Sequence, residues 1–244
     1  MRNWIEIDGK RSTEFGLRMA RLPLWPVAAE EVENIELPGA AVDSERHTGR
    51  FPDFELPLTG YLTRPQSPIE IAKLNEWLTN GKELILSTQP ELRGIIRRVG
   101  RIEPVRIGTR ANEIRIPLTM RPFKYATENF PRIFTTQRFT VFNRGNIYCE
   151  PKFVLNFADF TLIAFLDVNG ERLQIQPFAT GSEQIVVDVA RKKVYTAGSG
   201  GTLTVVQQYT SGRFWAQVLR PGWNEIEVTG ECESVEVTLN ERWL

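Results

Sequence analysis

The chain has 244 residues, of which 41% are hydrophobic, 25% charged and 10% aromatic, as in an ordinary globular protein. Lysine and arginine together number 30, as do aspartate and glutamate, so the formal net charge is zero. Proteins that hold nucleic acid stably usually carry a basic excess, and none is present overall. This balance argues against stable nucleic-acid binding.

Few residues point to a metal, a disulfide or a membrane. Cys149 and Cys232 lack metal-ligand spacing and are expected to be free thiols, and a single histidine, His47, excludes a multi-histidine site. The longest apolar runs, such as Leu162–Leu166, are far shorter than a membrane span, and no secretory leader opens the sequence. We expect a soluble, cytoplasmically made protein without cofactor, metal or membrane anchor.

Strands dominate the first half of the sequence. Ile5 and Ile7 alternate with acidic residues before an Asp8-Gly9 turn, which predicts a hairpin. Pro57 and Pro117 lie inside two later alternating runs. Because proline cannot donate to a sheet ladder, we expect each of these strands at an edge or at a bulge.

One helix is predicted, over residues 68–80. Ser67–Glu70 combines a serine N-cap, a proline at the first helical position and a glutamate three residues after the cap. Asn80-Gly81 supplies the stop signal. The apolar stripe expected to face a sheet is Ile71, Leu74 and Leu78, with Trp77 beside it.

After about Pro131 the pattern changes to short strands separated by glycine-rich turns. FLDVNGERLQI (Phe165–Ile175) predicts an Asn-Gly hairpin. Many short strands without helices favour a β-sandwich. We therefore expect a mainly β protein, with a β-sandwich-like N-terminal domain that carries the helix (1–131) and a C-terminal β-sandwich (132–244).

The only histidine has polar neighbours that could imitate a catalytic set. His47 follows Asp43, Ser44, Glu45 and Arg46 in a segment predicted as a loop between two strands. A catalytic histidine needs partners on converging rigid elements, which a single loop does not provide. We interpret this segment as a surface rather than an active site.

Carboxylates and tryptophans of the second half suggest sugar chemistry only weakly. Glu225 and Glu227 flank an inward isoleucine and so face outward, whereas a glycosidase needs two carboxylates facing each other across a cleft. Trp215, Trp223 and Trp243 could form a carbohydrate platform, although sandwich aromatics more often lie in the core.

Charge is segregated along the first domain. Acidic residues predominate from Glu30 to Glu55, and arginines predominate from Pro90 to Arg121. Either these segments are neighbouring strands that pair charges within one molecule, or the acidic surface of one subunit meets the basic surface of the next. The candidate interface residues are Glu33, Glu36, Asp43, Glu45, Arg46, His47, Arg97, Arg98 and Arg101.

The order of motifs resembles that of the distal tail proteins (Dit) of long-tailed bacteriophages. The resembling segments are WIEIDG, the Gly16-Leu17 pair, IELPGAAVDS, FELPL, the helix, MRPFKY, FTVFNRGNIYCEPKFVL, VVDVARKKVY and PGWNEIEVTG. They span nearly the whole chain. One departure lies after Pro38-Gly39, where relatives often carry Arg-Asp-Gly and this chain has Ala40-Ala41-Val42.

This resemblance implies a structural virion protein without catalysis. Six copies would form a ring that joins the tail tube to tail-tip or baseplate proteins, with receptor-binding or fibre proteins nearby and a channel through which DNA passes transiently. The second domain would be galectin-like or similar to a carbohydrate-binding module. The alternatives are another tail-tube or tail-tip ring subunit, a carbohydrate-binding β-sandwich protein for host adhesion, and a β-sandwich hydrolase.

Overall fold

Antiparallel strands account for most of the structure, a computed structural model that describes residues 3–35, 44–63, 67–107, 111–158, 161–177, 184–197 and 203–244. The mainly β fold predicted from the sequence is confirmed. The chain divides into two compact units, one of Met1–Thr127 with Leu244 and one of Glu128–Trp243. The predicted boundary after residue 131 lies close to this division, and a ring-forming role for the first domain stays a prediction.

The N-terminal unit is built from short and long strands and one helix in the part of the chain that the structure describes. These elements are β1 (Ile5–Ile7), β2 (Lys10–Arg11), β3 (Leu17–Arg21), β4 (Val32–Ile35), β5 (Ser44–His47), β6 (Phe54–Leu62), α1 (Pro68–Asn80), β7 (Glu83–Leu86), β8 (Gln89–Val99), β9 (Glu103–Ile107) and β10 (Ala111–Ala126). The predicted helix bounds are confirmed.

One curled antiparallel sheet organises this unit. Its strands follow the order β2-β1-β7-β8-β10-β6-β3, and β9 also pairs with β10. The curl brings β3 close to the segment that leads into β1, where the backbone N–H of Met19 donates a 3.4 Å hydrogen bond to the carbonyl of Asn3. The predicted Asp8-Gly9 hairpin joins β1 and β2, and both turn residues have positive φ, 48° and 79°.

Helix α1 packs on this sheet through a narrower stripe than predicted. Leu74 and Leu78 are buried, and Trp77 stacks on Phe15 with ring centroids 4.5 Å apart. The indole Nε1 of Trp77 also donates to the carbonyl of Ile7 at 3.2 Å. Ile71 is 39% exposed, so its predicted place in the stripe is wrong. Because Trp77 packs against the unit, Ile71 lies on the solvent-exposed side of the helix.

The two strand prolines lie opposite each other inside the sheet. Pro57 on β6 pairs in register with Pro117 on β10, and both strands have neighbours on either side. The edge alternative is therefore wrong, whereas both ladders contain the register shifts of the other alternative, between Met19 and Arg21 opposite β6 and between Thr119 and Lys124 on β10. Beside Pro57, the pairing of β3 has already ended at Thr59, and beside Pro117 the pairing changes from β9, which ends at Arg115, to β8. The backbone N–H groups that the two prolines lack would therefore have had no acceptor on a neighbouring strand.

The segment Leu22–Glu31, here called the strap, connects β3 to β4 without regular secondary structure. The backbone N–H of Trp25 donates to the side-chain oxygen of Gln89 at 2.8 Å, and the buried indole packs against Gly94. The ammonium of Lys124, only 2% exposed, donates to the carbonyl of Pro26 at 2.8 Å. These contacts fix the strap on the unit.

The C-terminal unit is a sandwich of two antiparallel sheets. Its described strands are β11 (Arg132–Phe134), β12 (Arg138–Asn143), β13 (Lys152–Phe157), β14 (Ala164–Val168), β15 (Glu171–Ile175), β16 (Gln184–Asp188), β17 (Lys193–Ala197), β18 (Leu203–Val205), β19 (Thr210–Ser211), β20 (Gly222–Thr229) and β21 (Cys232–Thr238). A short strand, β22 (Arg242–Trp243), follows them and belongs to neither sheet. One sheet has the order β11-β21-β13-β16-β17-β18 and the other β12-β20-β14-β15-β19.

Alternating side chains from both sheets fill the space between them. Phe153, Leu155 and Val237 of the first sheet and Leu166 and Ile226 of the second belong to one buried apolar cluster. The predicted Asn169-Gly170 turn joins β14 and β15. The predicted sandwich is confirmed for this unit, and its likeness to galectins stays a prediction.

Candidate functional site

A two-stranded ribbon, here called the arm, consists of β4 and β5. In the described part of the chain these strands pair only with each other, in the register Val32↔His47 to Ile35↔Ser44. All eight residues of the two strands are exposed. The arm therefore has no apolar core of its own, and isolated two-stranded ribbons are only marginally stable in water.

Polar contacts at its base hold the arm to the end of the strap. One carboxylate oxygen of Glu30 lies 3.2 Å from Nδ1 of His47, and the other accepts the backbone N–H of Gly49 at 2.8 Å. The backbone N–H of Glu31 donates to the carbonyl of Arg50 at 2.8 Å. His47 thus has a structural partner, and its imidazole is 65% exposed.

The prediction that residues 44–47 form a loop is wrong. Ser44–His47 is a strand, and it escaped prediction because both of its faces are exposed and polar, which removes the alternation by which strands are recognised. The interpretation as a presented surface rather than a histidine-based active site agrees with this geometry.

The predicted acidic candidates are distributed along the arm. Glu33 and Arg46 are cross-strand partners with 3.9 Å between charged atoms, and both side chains are more than half exposed. Glu45 makes no ion pair with another described residue. Glu36 and Asp43 lie outside the described residues. Among the described residues of the arm, Glu45 therefore offers a carboxylate without an ion-pair partner at the surface.

The outward surface of the N-terminal sheet carries the basic candidates. Cross-strand rows on this surface are Arg18–Tyr61–Glu113, Arg21–Thr59–Arg115 and Glu55–Thr119–Arg98. Arg101 joins them at a shallow hollow of about 350 Å³ over the paired prolines. We call Arg18, Arg21, Arg98, Arg101 and Arg115 the arginine face. Of these five, only Arg115 is ion-paired to a described residue, Glu113, at 3.0 Å.

A β-bulge explains why two successive arginines of β8 are both exposed. Thr119 pairs with Arg98 and Met120 pairs with Ile96, so Arg97 is the extra residue of the bulge. Its guanidinium lies 2.9 Å from the carboxylate of Asp53. The acidic and basic segments thus meet within one molecule at this pair, whereas Arg98 and Arg101 have no such partner among the described residues.

The cysteines are poor nucleophiles. Cys149 is fully buried, and burial raises the pKa of its thiol to about 12. Burial also raises the pKa of Cys232 to about 11. Both thiols therefore stay protonated near neutral pH, where thiolate chemistry would need the opposite shift.

The outward carboxylates of β20 do not face a partner across a cleft. Glu227 pairs with Arg138 at 2.9 Å, and Glu225 is exposed beside it on the same surface. In the described ranges no cluster of histidine, cysteine or carboxylate side chains could hold a metal ion. None of the helices in those ranges has the length and apolarity to cross a membrane.

The three candidate tryptophans have different surroundings. Trp223 on β20 is 72% exposed, Trp215 in a short 3₁₀ turn is 51% exposed, and Trp243 on β22 is half-buried.

Sequence reasoning missed Lys124 and Asn224, both buried. A lone polar residue in an alternating run could have drawn attention to each, since it occupies an inward position.

Comparisons with known proteins place the fold among phage tail structures. Neither a protein-family model nor a curated protein matches the sequence. The Dit protein of phage SPP1, described as a paradigm of the hub adsorption apparatus in phages infecting Gram-positive bacteria, matches with a TM-score of 0.73. The match covers 100% of both chains at 14% identity.

Two structures of the phage P2 baseplate in its activated conformation also match. The one with Ca has a TM-score of 0.54 at 10% identity, and the one with Sr has 0.50 at 11%. Each match covers 98% of this chain and 97% of the other. This chain therefore has the fold of a phage hub protein from end to end.

Proposed function

We propose that this chain is a distal tail protein, a structural subunit of a bacteriophage tail tip. Six copies form a ring that joins the tail tube to tail-tip or baseplate proteins and leaves a channel for DNA. The observation that carries this proposal is the similarity to the SPP1 hub protein over the complete length of both chains. Both units thus occur together in one known tail protein, which a tube subunit of a single domain would not explain.

The arm supports the proposal because it is exposed on every side. A ribbon without a core gains stability by packing on another surface. Val32 and Ile35 on the arm are 40% and 41% exposed, so it offers apolar area as well as charge. A neighbouring copy in a ring would cover both the apolar side chains and the charged side chains of the arm.

Charge complementarity suggests how neighbouring copies meet. The arm carries the free carboxylate of Glu45 and the weakly paired Glu33, and the arginine face carries Arg98 and Arg101 without intramolecular partners in the described residues. The acidic arm of one subunit therefore docks on the arginine face of the next. Two different surfaces in contact generate a head-to-tail interface, which closes into a ring when the rotation permits.

A ring that lets DNA pass should bind it weakly, because each fixed phosphate contact adds affinity. The zero net charge of the chain suits this role, and the arginine face is occupied by the arm of a neighbour. Tail-tube, tail-tip and receptor-binding or fibre proteins are the remaining partners, and assembly takes place in the host cytoplasm. No catalytic step is part of this function.

Light scattering coupled to size-exclusion chromatography tests the ring with the purified full chain. A hexamer of 27.9 kDa subunits, or two hexamers back to back, agrees with the proposal. A strict monomer at all concentrations, also when tail-tube protein is added, contradicts it. A closed ring with another number of copies would favour a different level of the tail.

A further inference from the structure

Trp223 presents an aromatic ring to solvent near the start of β20, where that strand pairs with β12. It is the most exposed of the six tryptophans, at 72%. Its neighbours Asn224 and Ile226 are buried, so Trp223 points away from the sandwich core. Across the strand pair lies Phe142, 40% exposed, whose ring meets the indole edge to face with centroids 5.1 Å apart. The two rings together form a small exposed apolar patch.

A buried asparagine fixes the turn that carries this tryptophan. The side-chain oxygen of Asn224 accepts the backbone N–H of Arg220 and the amide of Asn169, both at 2.8 Å. Its amide nitrogen donates to the carbonyls of Arg220 and Gly222, at 2.8 and 2.9 Å. All four hydrogen bonds that an asparagine side chain can make are formed. The turn before Trp223 is therefore held in one conformation.

A polar row lies beside the aromatic pair on the same surface. Thr140 and Glu225 are cross-strand partners two residues along from Phe142 and Trp223, a step of about 7 Å. Both are exposed, and the carboxylate of Glu225 has no ion-pair partner among the described residues. The next row is the Arg138–Glu227 ion pair, at 2.9 Å.

We propose that Trp223 and Phe142, with Glu225 and Thr140, form a carbohydrate-binding platform on the C-terminal unit. The indole face stacks on the apolar face of a pyranose ring, and Glu225 and Thr140 hydrogen-bond the hydroxyls at its edge. A preorganised aromatic beside free polar groups suits an amphipathic sugar, which presents both kinds of surface.

The size of the patch favours a sugar over a protein partner. Its apolar part consists of two rings, whereas a stable protein interface covers about 800 Å² on each partner. A protein that docked here would also have to desolvate the Arg138–Glu227 pair and the neighbouring Arg172–Asp167 pair. A single oligosaccharide can occupy the aromatic pair and the Thr140–Glu225 row without covering these ion pairs.

The test uses the full chain and three soluble tetrasaccharides as probes: chitotetraose, cellotetraose and maltotetraose. Saturation-transfer difference NMR detects contact, and isothermal titration calorimetry gives the dissociation constant. We expect at least one probe to bind. Trp223→Ala should weaken that binding by about tenfold or more, and Glu225→Gln by a smaller factor.

Trp215→Ala is the matched control, because Trp215 is also exposed in the same unit but adjoins Phe214 rather than a polar row. It should leave binding unchanged. The proposal is overturned if no probe binds at about 10 mM, well above a millimolar dissociation constant. It is also overturned if Trp223→Ala binds as the unmodified chain does, or if Trp223→Ala abolishes contact with other tail proteins while no saccharide binds.

Discussion

The ammonium group of Lys124 donates a 2.8 Å hydrogen bond to the backbone carbonyl of Pro26 and is 2% exposed. No carboxylate is ion-paired with it in the described residues, and burial lowers the pKa of Lys124 from 10.5 to about 8. The lysine thus ties the strap, and through it the arm, to the N-terminal sheet at the cost of a buried charge.

This buried lysine should make stability rise with pH. Between about pH 8 and pH 10.5 the unfolded chain binds the proton and the folded chain does not, so the free energy of unfolding increases with pH across that window. The full effect of this one group is about 3 kcal/mol at 1.36 kcal/mol per pKa unit. Urea unfolding of the native chain and of Lys124→Met at several pH values isolates the contribution.

Lys124→Met should lose most of that pH dependence and should be more stable than the native chain at pH 7. Lys73→Met, at an exposed position of helix α1, is the control and should keep the slope of the native chain. Equal slopes for the Lys124 variant and the native chain would show that this ammonium is not desolvated.

The indole of Trp25 packs where a side chain at position 94 would lie, so this position requires glycine. A Cβ atom at position 94 would lie 2.6 Å from the indole and 2.9 Å from the end of Met120. Gly94→Ala should therefore lower the free energy of unfolding by about 1–3 kcal/mol, measured by urea unfolding. In a Trp25→Ala background the same substitution should cost less than half as much, because the main clash is gone. Equal costs in both backgrounds would contradict this packing.

Two ion pairs of the C-terminal unit should differ sharply in their contribution to the free energy of unfolding. Glu241, 3% exposed, accepts hydrogen bonds from the side chain and backbone N–H of Arg144, at 2.6–2.9 Å. Glu241→Ala leaves these donors without their partner and should cost about 2–4 kcal/mol. Glu227→Ala removes an exposed pair with Arg138 and should have no measurable effect on chemical unfolding.

Charge reversal should separate the two sides of the proposed subunit contact. Glu33→Arg with Glu45→Arg on the arm should dissociate the ring, as should Arg98→Glu with Arg101→Glu on the arginine face. A mixture of the two double variants should regain a ring in which they alternate, because each arm then meets a face of opposite sign, and the combined fourfold variant should regain the ring by itself because the signs are exchanged. Glu76→Arg, on the exposed side of α1, is the control.

The oligomer size in light scattering is the readout, at low and at high salt. Salt should weaken the native ring, because exposed charges are screened beyond a distance of about 10 Å at 0.1 M. An oligomer whose size changes neither with salt nor with the double charge reversals would show that charge does not join the subunits.

Local sequence signals predicted the regular parts of the fold. The Ser67–Glu70 capping box located α1, and the Asp8-Gly9 and Asn169-Gly170 turns located two hairpins. These features depend on residues close in the chain, which is why a single sequence reveals them. The alternation of strands such as β12, β13 and β20 likewise reflects one buried face on each of them.

Features that depend on distant residues could not be predicted. The pairing of Pro57 with Pro117 and the bulge at Arg97 depend on where β3 and β9 end, which only the assembled sheet decides. The arm lacks alternation because all residues of its two strands are exposed in the described part of the chain. The contact of Asp53 with Arg97 joins segments that are separated in the sheet by β10.

Electron cryomicroscopy of intact tails purified from virions tests the central claim most directly. The account predicts that this chain fits a ring of six copies at the junction beneath the tail tube, with the arm of each copy on the arginine face of the next. Tails whose junction is built from another polypeptide, or a ring in which Arg98 and Arg101 line the channel rather than contact a neighbouring subunit, would contradict it.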